Sequence, residues 1–172
     1  MAVFLRRLWW CVALLLLQIL LLDRVNLWGI VTPLAFFYPI LIMDSDVSPA
    51  ARMLWGFAIG LVADIFVNTP GVQAASLSLL AYAQPFILKL YISFDRRENI
   101  NPGIASMTFG SYMLYVVTGS LLFNFLTTLF GTSTTLGLLS ILLKIVLGTV
   151  MSSVIFMLIE LTVRTKRRKS YR

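Results

Sequence analysis

The chain has 172 residues, of which 59% are hydrophobic and only 12% charged, with a mean hydropathy of +0.92. A soluble domain cannot hide that much apolar surface, so the composition reads as an integral membrane protein with no room for a large soluble module. There is no histidine, and Cys11 is the only cysteine. That leaves out an internal disulfide, a Cys/His metal site and His-based acid–base chemistry. The net charge of +7 comes from residues flanking apolar runs, the pattern of membrane orientation and anionic-lipid contact, not of nucleic-acid binding.

Six apolar runs are predicted to cross the membrane as one all-α bundle. The first, Leu8 to Leu22, follows Arg6 and Arg7 and lacks a small-residue cleavage site, so it reads as a retained helix extended by Phe4 and Leu5. The second, Leu27 to Met43, contains Pro33 and Pro39. Proline removes a backbone hydrogen bond and bends a helix, and such breaks survive in lipid only where neighbours cover the freed carbonyls. This run is therefore expected to be irregular and buried.

The third run spans Ala51 to Val67. The fourth spans Gln73 to Ile92, with Pro85 as an expected kink. The fifth is Ile104 to Phe130 and the sixth Leu136 to Val163, which closes the transmembrane domain (1–163) before a basic tail (164–172). With the N-terminus in the cytoplasm, Arg6, Arg7, Arg52, Lys89, Arg96, Arg97 and the tail with Lys166, Arg167, Arg168 and Lys169 share one side. Only Arg24 lies opposite. This positive-inside pattern puts both termini in the cytoplasm. Trp9, Trp10, Trp28 and Trp55 stand near span ends as interface anchors.

The stretch from Trp55 to Pro85 carries most of the signal. Gly56, Gly60 and Asp64 are four residues apart and share one helix face. Small residues let another helix approach closely, and the acid, costly in lipid, must face protein or water. Asn68, Pro70 and Gly71 form a tight turn before the next helix. The stretch reads as a transmembrane hairpin with a packing stripe and one buried acid.

Asp64 and Lys144 are the two intramembrane charges. Asp64 sits roughly 5 Å below Val67, and Lys144 roughly 12 Å below Leu136, on the same side. Either they pair or share a polar network, or each snorkels on its own. Glu160 stands four residues before Arg164, the spacing of an ordinary surface ion pair.

An enzyme reading fails on the residues. Asp44-x-Asp46, Arg52 and Gly60-x-x-x-Asp64 superficially resemble the signature of CDP-alcohol phosphatidyltransferases. The spacing is wrong, the last carboxylate is replaced by Asn68, and the acids fall on opposite membrane faces, which splits any two-metal site. No nucleophile–base pair or phosphate loop stands elsewhere. A transport reading keeps more support, because broken helices and an embedded charge mark substrate pathways. Its polar candidates are Asn68, Gln73, Ser76, Ser78, Tyr82 and Gln84, scattered residues that helix packing explains as well.

Over most of its length the chain resembles the rod shape-determining MreD family, in the form seen in Bacteroidetes-type bacteria. The resemblance rests on Gly56 to Phe66, on Pro70-Gly71, on Gln73-Ala-Ala-Ser-Leu, on Ala81-Tyr82 and Gln84-Pro85, and on Pro33 in its Leu-Trp-Gly-Ile-Val-Thr-Pro context. Where relatives carry Gly-x-His after the turn, Val72 and Gln73 follow Gly71 here, so no role for that histidine carries over.

The resemblance implies a non-catalytic inner-membrane subunit of the cell-elongation and peptidoglycan-synthesis machinery, without a cofactor. Its implied partners are MreC first, then RodA with its transpeptidase and the filament MreB, with anionic lipid at the basic tail. The hairpin at Gly56, Gly60, Asp64, Pro70 and Gly71 is then expected to offer a packing surface to a partner helix. Asp95 to Asn101 and the tail would meet cytoplasmic partners. The family is similar in fold to the substrate-capturing subunits of energy-coupling-factor vitamin transporters, which is the alternative reading.

Overall fold

The computed structural model describes residues 18, 34–44, 47–92, 102, 107–131 and 138–170, with the backbone alone at 138, 161 and 163–170. The first expected span apart from Gln18, Pro33, Asp46, Arg96 and Arg97, and the side chains of Lys166 to Lys169 lie outside the described residues.

Among the described residues there are five helices and no strand. They are α1 (Tyr38–Leu41), α2 (Pro49–Val67), α3 (Val72–Tyr91), α4 (Phe109–Gly131) and α5 (Leu138–Ser170). Helix α2 begins where Ser48 accepts a hydrogen bond from Ala51 N at 3.3 Å and Pro49 fills the first turn, where its missing N–H costs nothing. It ends at Asn68, which takes the left-handed conformation (φ 57°) and donates its N–H back to Asp64 O. Gly71 also has positive φ (81°), and a Cβ there would meet nothing within 4 Å. The glycine is needed for its backbone conformation, not for space.

Among the described residues, three helical stretches are long and apolar enough to cross a membrane: Pro49–Val67, Phe109–Gly131 and Leu139–Glu160. The expectation of six spans is not reproduced. Helix α3 has 20 residues, but Gln73, Ser76, Ser78, Gln84 and Lys89 dilute its apolar character. The second expected span is broken: its described part, 34–43, holds only the four-residue α1.

The proline kinks are not reproduced either. Pro39 stands in the first turn of α1, where it starts a helix and does not bend one. Pro85 lies inside α3, which runs unbroken from Val72 to Tyr91. The expectation of an irregular, buried segment agrees with 34–43, where Ala35 to Leu41 are all buried.

Helices α2 and α3 pack most extensively, α3 then packs on α4, and α4 on α5. The short α1 lies against α3 and α2. Aromatic rings join 34–43 to the outer helices: Phe37 stands 4.2 Å from Phe123 and 4.8 Å from Phe156, centroid to centroid. Each such pair contributes about 0.5–1.5 kcal/mol beyond its buried area.

The polarity of the helix faces is that of a membrane bundle. Helix α4 turns Tyr112, Tyr115, Ser120 and Asn124 inward and Leu114, Leu121, Phe125 and Leu129 outward. In water that arrangement would be costly; in lipid it is required, because only the interior offers hydrogen-bond partners.

Candidate functional site

Two constructions use Arg52, Asp64, Gln84 and Glu160 among the polar groups that the sequence singles out. The first is the α2/α3 hairpin. Asp64 is 6% exposed, and its carboxylate caps the start of α3. Gln73 N donates to Oδ1 and Ala74 N to Oδ2, both at 2.9 Å, and the Thr69 hydroxyl donates to Oδ1 at 3.0 Å. A negative charge on a helix N-terminus satisfies donors that lipid would leave bare and complements the positive end of the helix dipole.

The carboxylate oxygens are thus taken up by the turn and by α3. Lys144 lies on α5, which packs on α4, and among the described residues no ion pair joins it to Asp64. The glycines serve the same hairpin. A Cβ on Gly56 would stand 2.7 Å from Leu77 O, and one on Gly60 would stand 2.5 Å from Ala74 Cα. The expectation that this stripe faces a partner helix is corrected: it faces α3 of its own chain, because only glycine lets the two backbones come so close.

The stripe also extends one step further back than the sequence reading took it. Arg52, four residues before Gly56, is 1% exposed and shares the buried face. One guanidinium nitrogen, Nη2, donates to Asp44 O at 3.1 Å and to Val47 O at 3.0 Å.

That contact belongs to the second construction, a set of side chains that hold the irregular segment 34–47. Gln18 Oε1 accepts from Ala35 N at 2.8 Å. Leu41 O accepts from the Tyr115 hydroxyl at 2.6 Å and from Gln84 Nε2 at 3.3 Å, and Gln84 Nε2 also reaches Met43 O at 3.4 Å and Tyr115 Oη at 3.0 Å. The Tyr38 hydroxyl donates to Glu160 Oε2 at 2.8 Å. Glu160, read from spacing as half of a surface pair with Arg164, whose side chain lies outside the described residues, ties this segment to α5. Gly119 of α4 leaves room for Leu41, whose Cδ2 would lie 2.7 Å from an added Cβ.

The clamp explains how broken backbone survives inside a bundle: each freed carbonyl named here meets a side-chain donor. Tyr115→Phe is expected to cost about 1–2 kcal/mol, and Gln84→Leu a similar amount. The double variant, which strips Leu41 O, should lose more than the sum. Detergent-resistance curves on the purified full chain check this. Arg52→Leu is expected to cost about 2–4 kcal/mol in the same assay, because it removes two charge-assisted hydrogen bonds from a buried guanidinium, to the part-buried carbonyls of Asp44 and Val47.

Sequence reasoning anticipated that neighbours must cover the carbonyls around Pro39 but not which ones. Gln84 stood among the scattered polar residues. Tyr38, Tyr115 and Arg52 carried no signal of this role except that Arg52 continues the four-residue spacing.

Comparison with family models, with curated proteins and with solved structures gives no match. What the chain's own geometry defines is a class: over the described residues, an all-helical protein with three helices able to cross a membrane, in which Arg52, Asp64, Gln84 and Tyr115 turn inward and bind its own backbone.

Proposed function

We propose that this chain is a non-catalytic, multi-pass subunit of the bacterial cell-shape and peptidoglycan-elongation machinery in the inner (cytoplasmic) membrane. On this reading it is an MreD-like scaffold with six spans and both termini in the cytoplasm. The observation that supports it most is the use made of the residues that carry the resemblance. Gly56, Gly60, Asp64, Gly71, Gln73 and Gln84 all close the hairpin or hold the broken segment. A fixed internal framework of this kind suits a subunit whose work is to hold partners in place.

With the glycine stripe occupied by α3, the surface left for a partner helix such as that of MreC is the opposite face of α2. Leu54 and Ile65 there are each 69% exposed, with Phe57 and Leu61 between them. The basic residues Lys166, Arg167, Arg168 and Lys169 continue α5 beyond its apolar part as helix, which favours contact with anionic lipid or a cytoplasmic partner.

The test is a gentle-detergent pull-down of the tagged full chain with mass spectrometry. Recovery of a single-span periplasmic coiled-coil protein with wall synthases, reduced by Leu61→Ala/Ile65→Ala in a folded protein, is the expected result. Recovery of ATPase subunits with a bound small molecule would overturn it in favour of the transport reading.

A further inference from the structure

The register between α4 and α5 places several polar residues opposite one another. A Cβ on Gly148 would overlap Asn124 Oδ1, so these two positions touch. Asn124 lies seven residues before the end of α4 (131 − 124) and Gly148 ten after the start of α5 (148 − 138), so the two packed helices run antiparallel away from their connection. One turn from the Asn124–Gly148 contact, the same register sets Ser120 opposite Ser152.

Both serines are fully buried, and neither hydroxyl has a hydrogen-bond partner; the neighbouring Ser153 hydroxyl has none either. Ser120 is the midpoint of α4, and Ser152 lies close to the midpoint of the apolar stretch Leu139–Glu160. The hydroxyls therefore meet near mid-membrane, where lipid supplies no partner.

Hydroxyls in these helices usually bond the carbonyl four residues back. Ser76, Ser78, Thr127, Thr149 and Thr162 all do so, at 2.7–2.9 Å. Ser120 and Ser152 do not. The carbonyl of Ser120 instead accepts from Asn124 Nδ2 at 2.9 Å, which holds the amide in the seam with its oxygen against Gly148. Buried Phe156 closes the level on the side toward Glu160.

A buried water needs two to four polar partners, and Ser120 and Ser152, with the Asn124 amide one turn away, supply that number. We propose that the α4/α5 seam holds water at mid-membrane, between Ser120 and Ser152.

Cys11 is the only cysteine, so a Cys11→Ser background allows clean thiol chemistry. Single variants Ser120→Cys and Ser152→Cys would be compared in lipid nanodiscs with Val150→Cys and Val154→Cys, whose positions face outward at 53% and 52% exposure. The probes are silver ion and a small cationic methanethiosulfonate. A thiol reacts as thiolate, which forms only where water reaches it, so the seam positions should label at least about tenfold faster than the outward ones. The double variant should form a disulfide on oxidation, since the register sets the two positions opposite one another.

Labelling no faster than at Val150 and Val154 would overturn the proposal and return the hydroxyls to their own helix carbonyls. Failure to cross-link would remove the facing geometry and the proposal with it. Ser153→Cys reads the same level should either serine variant fail to fold.

Discussion

Gly60→Ala is expected to cost about 3 kcal/mol or more, and Gly60→Leu to force α2 away from α3 altogether. The added Cβ would stand 2.5 Å from Ala74 Cα, 2.6 Å from Gln73 O and 2.7 Å from Ala74 N. All three are backbone atoms, held in turn by the Asp64 cap, so no flexible side chain can swing aside. Gly56→Ala meets the same kind of obstacle at Leu77 O and should follow it.

Gly110 supplies the control. A Cβ there meets nothing within 4 Å, and Gly110 lies in α4, so Gly110→Ala should be neutral or gain up to about 1 kcal/mol of helix propensity. Unfolding of the full chain in mixed micelles, followed by circular dichroism, measures all three. Equal stability of the Gly60 and Gly110 variants would remove close backbone packing from the account.

Asp64→Leu is the second large effect, at about 4 kcal/mol. It leaves Gln73 N, Ala74 N and the Thr69 hydroxyl without their charged acceptor, and hydrogen bonds to charged groups are worth about 1.5–3 kcal/mol each before relaxation. Asp64→Asn keeps the shape and one acceptor oxygen, so it should cost about 1–2 kcal/mol. The order wild type, Asn, Leu in the micelle assay is the expected result. An Asp64→Leu protein as stable as wild type would show that the carboxylate caps nothing of consequence and would return it to a partner-facing role.

The hairpin was legible because its signals are local. Gly56, Gly60 and Asp64 at intervals of four define a face whatever lies beyond it, and Asn68 to Gly71 can only turn. What that face meets was not legible. A small-residue stripe reads the same whether the approaching helix belongs to another chain or follows the next turn, and here the following helix takes it.

The clamp on 34–47 was illegible for a related reason. Leu41 lies 43 residues from Gln84 and 74 from Tyr115, and Tyr38 lies 122 from Glu160. Nothing in a one-residue-at-a-time reading links them, although the demand for donors near Pro39 could be stated. Arg52 reads from sequence only as an orientation charge; its burial follows from the carbonyls of Asp44 and Val47 that it binds. Among the described residues, the expected spans and the structure differ where apolar length and helicity part company. The described part of the second run, 34–43, is apolar but helical only over Tyr38–Leu41, while α3 is helical but polar.

The central claim is that a non-helical stretch of backbone is held dry within the bundle by side chains of α2 to α5. Amide hydrogen exchange of the full chain in lipid nanodiscs tests it most directly. The account predicts that amides of residues 35–43 exchange as slowly as those in the middle of α3 and α4, and that Gln84→Leu with Tyr115→Phe releases this segment while leaving the α2/α3 hairpin protected. Exchange of 35–43 at the rate of an open loop in the unaltered protein would contradict it.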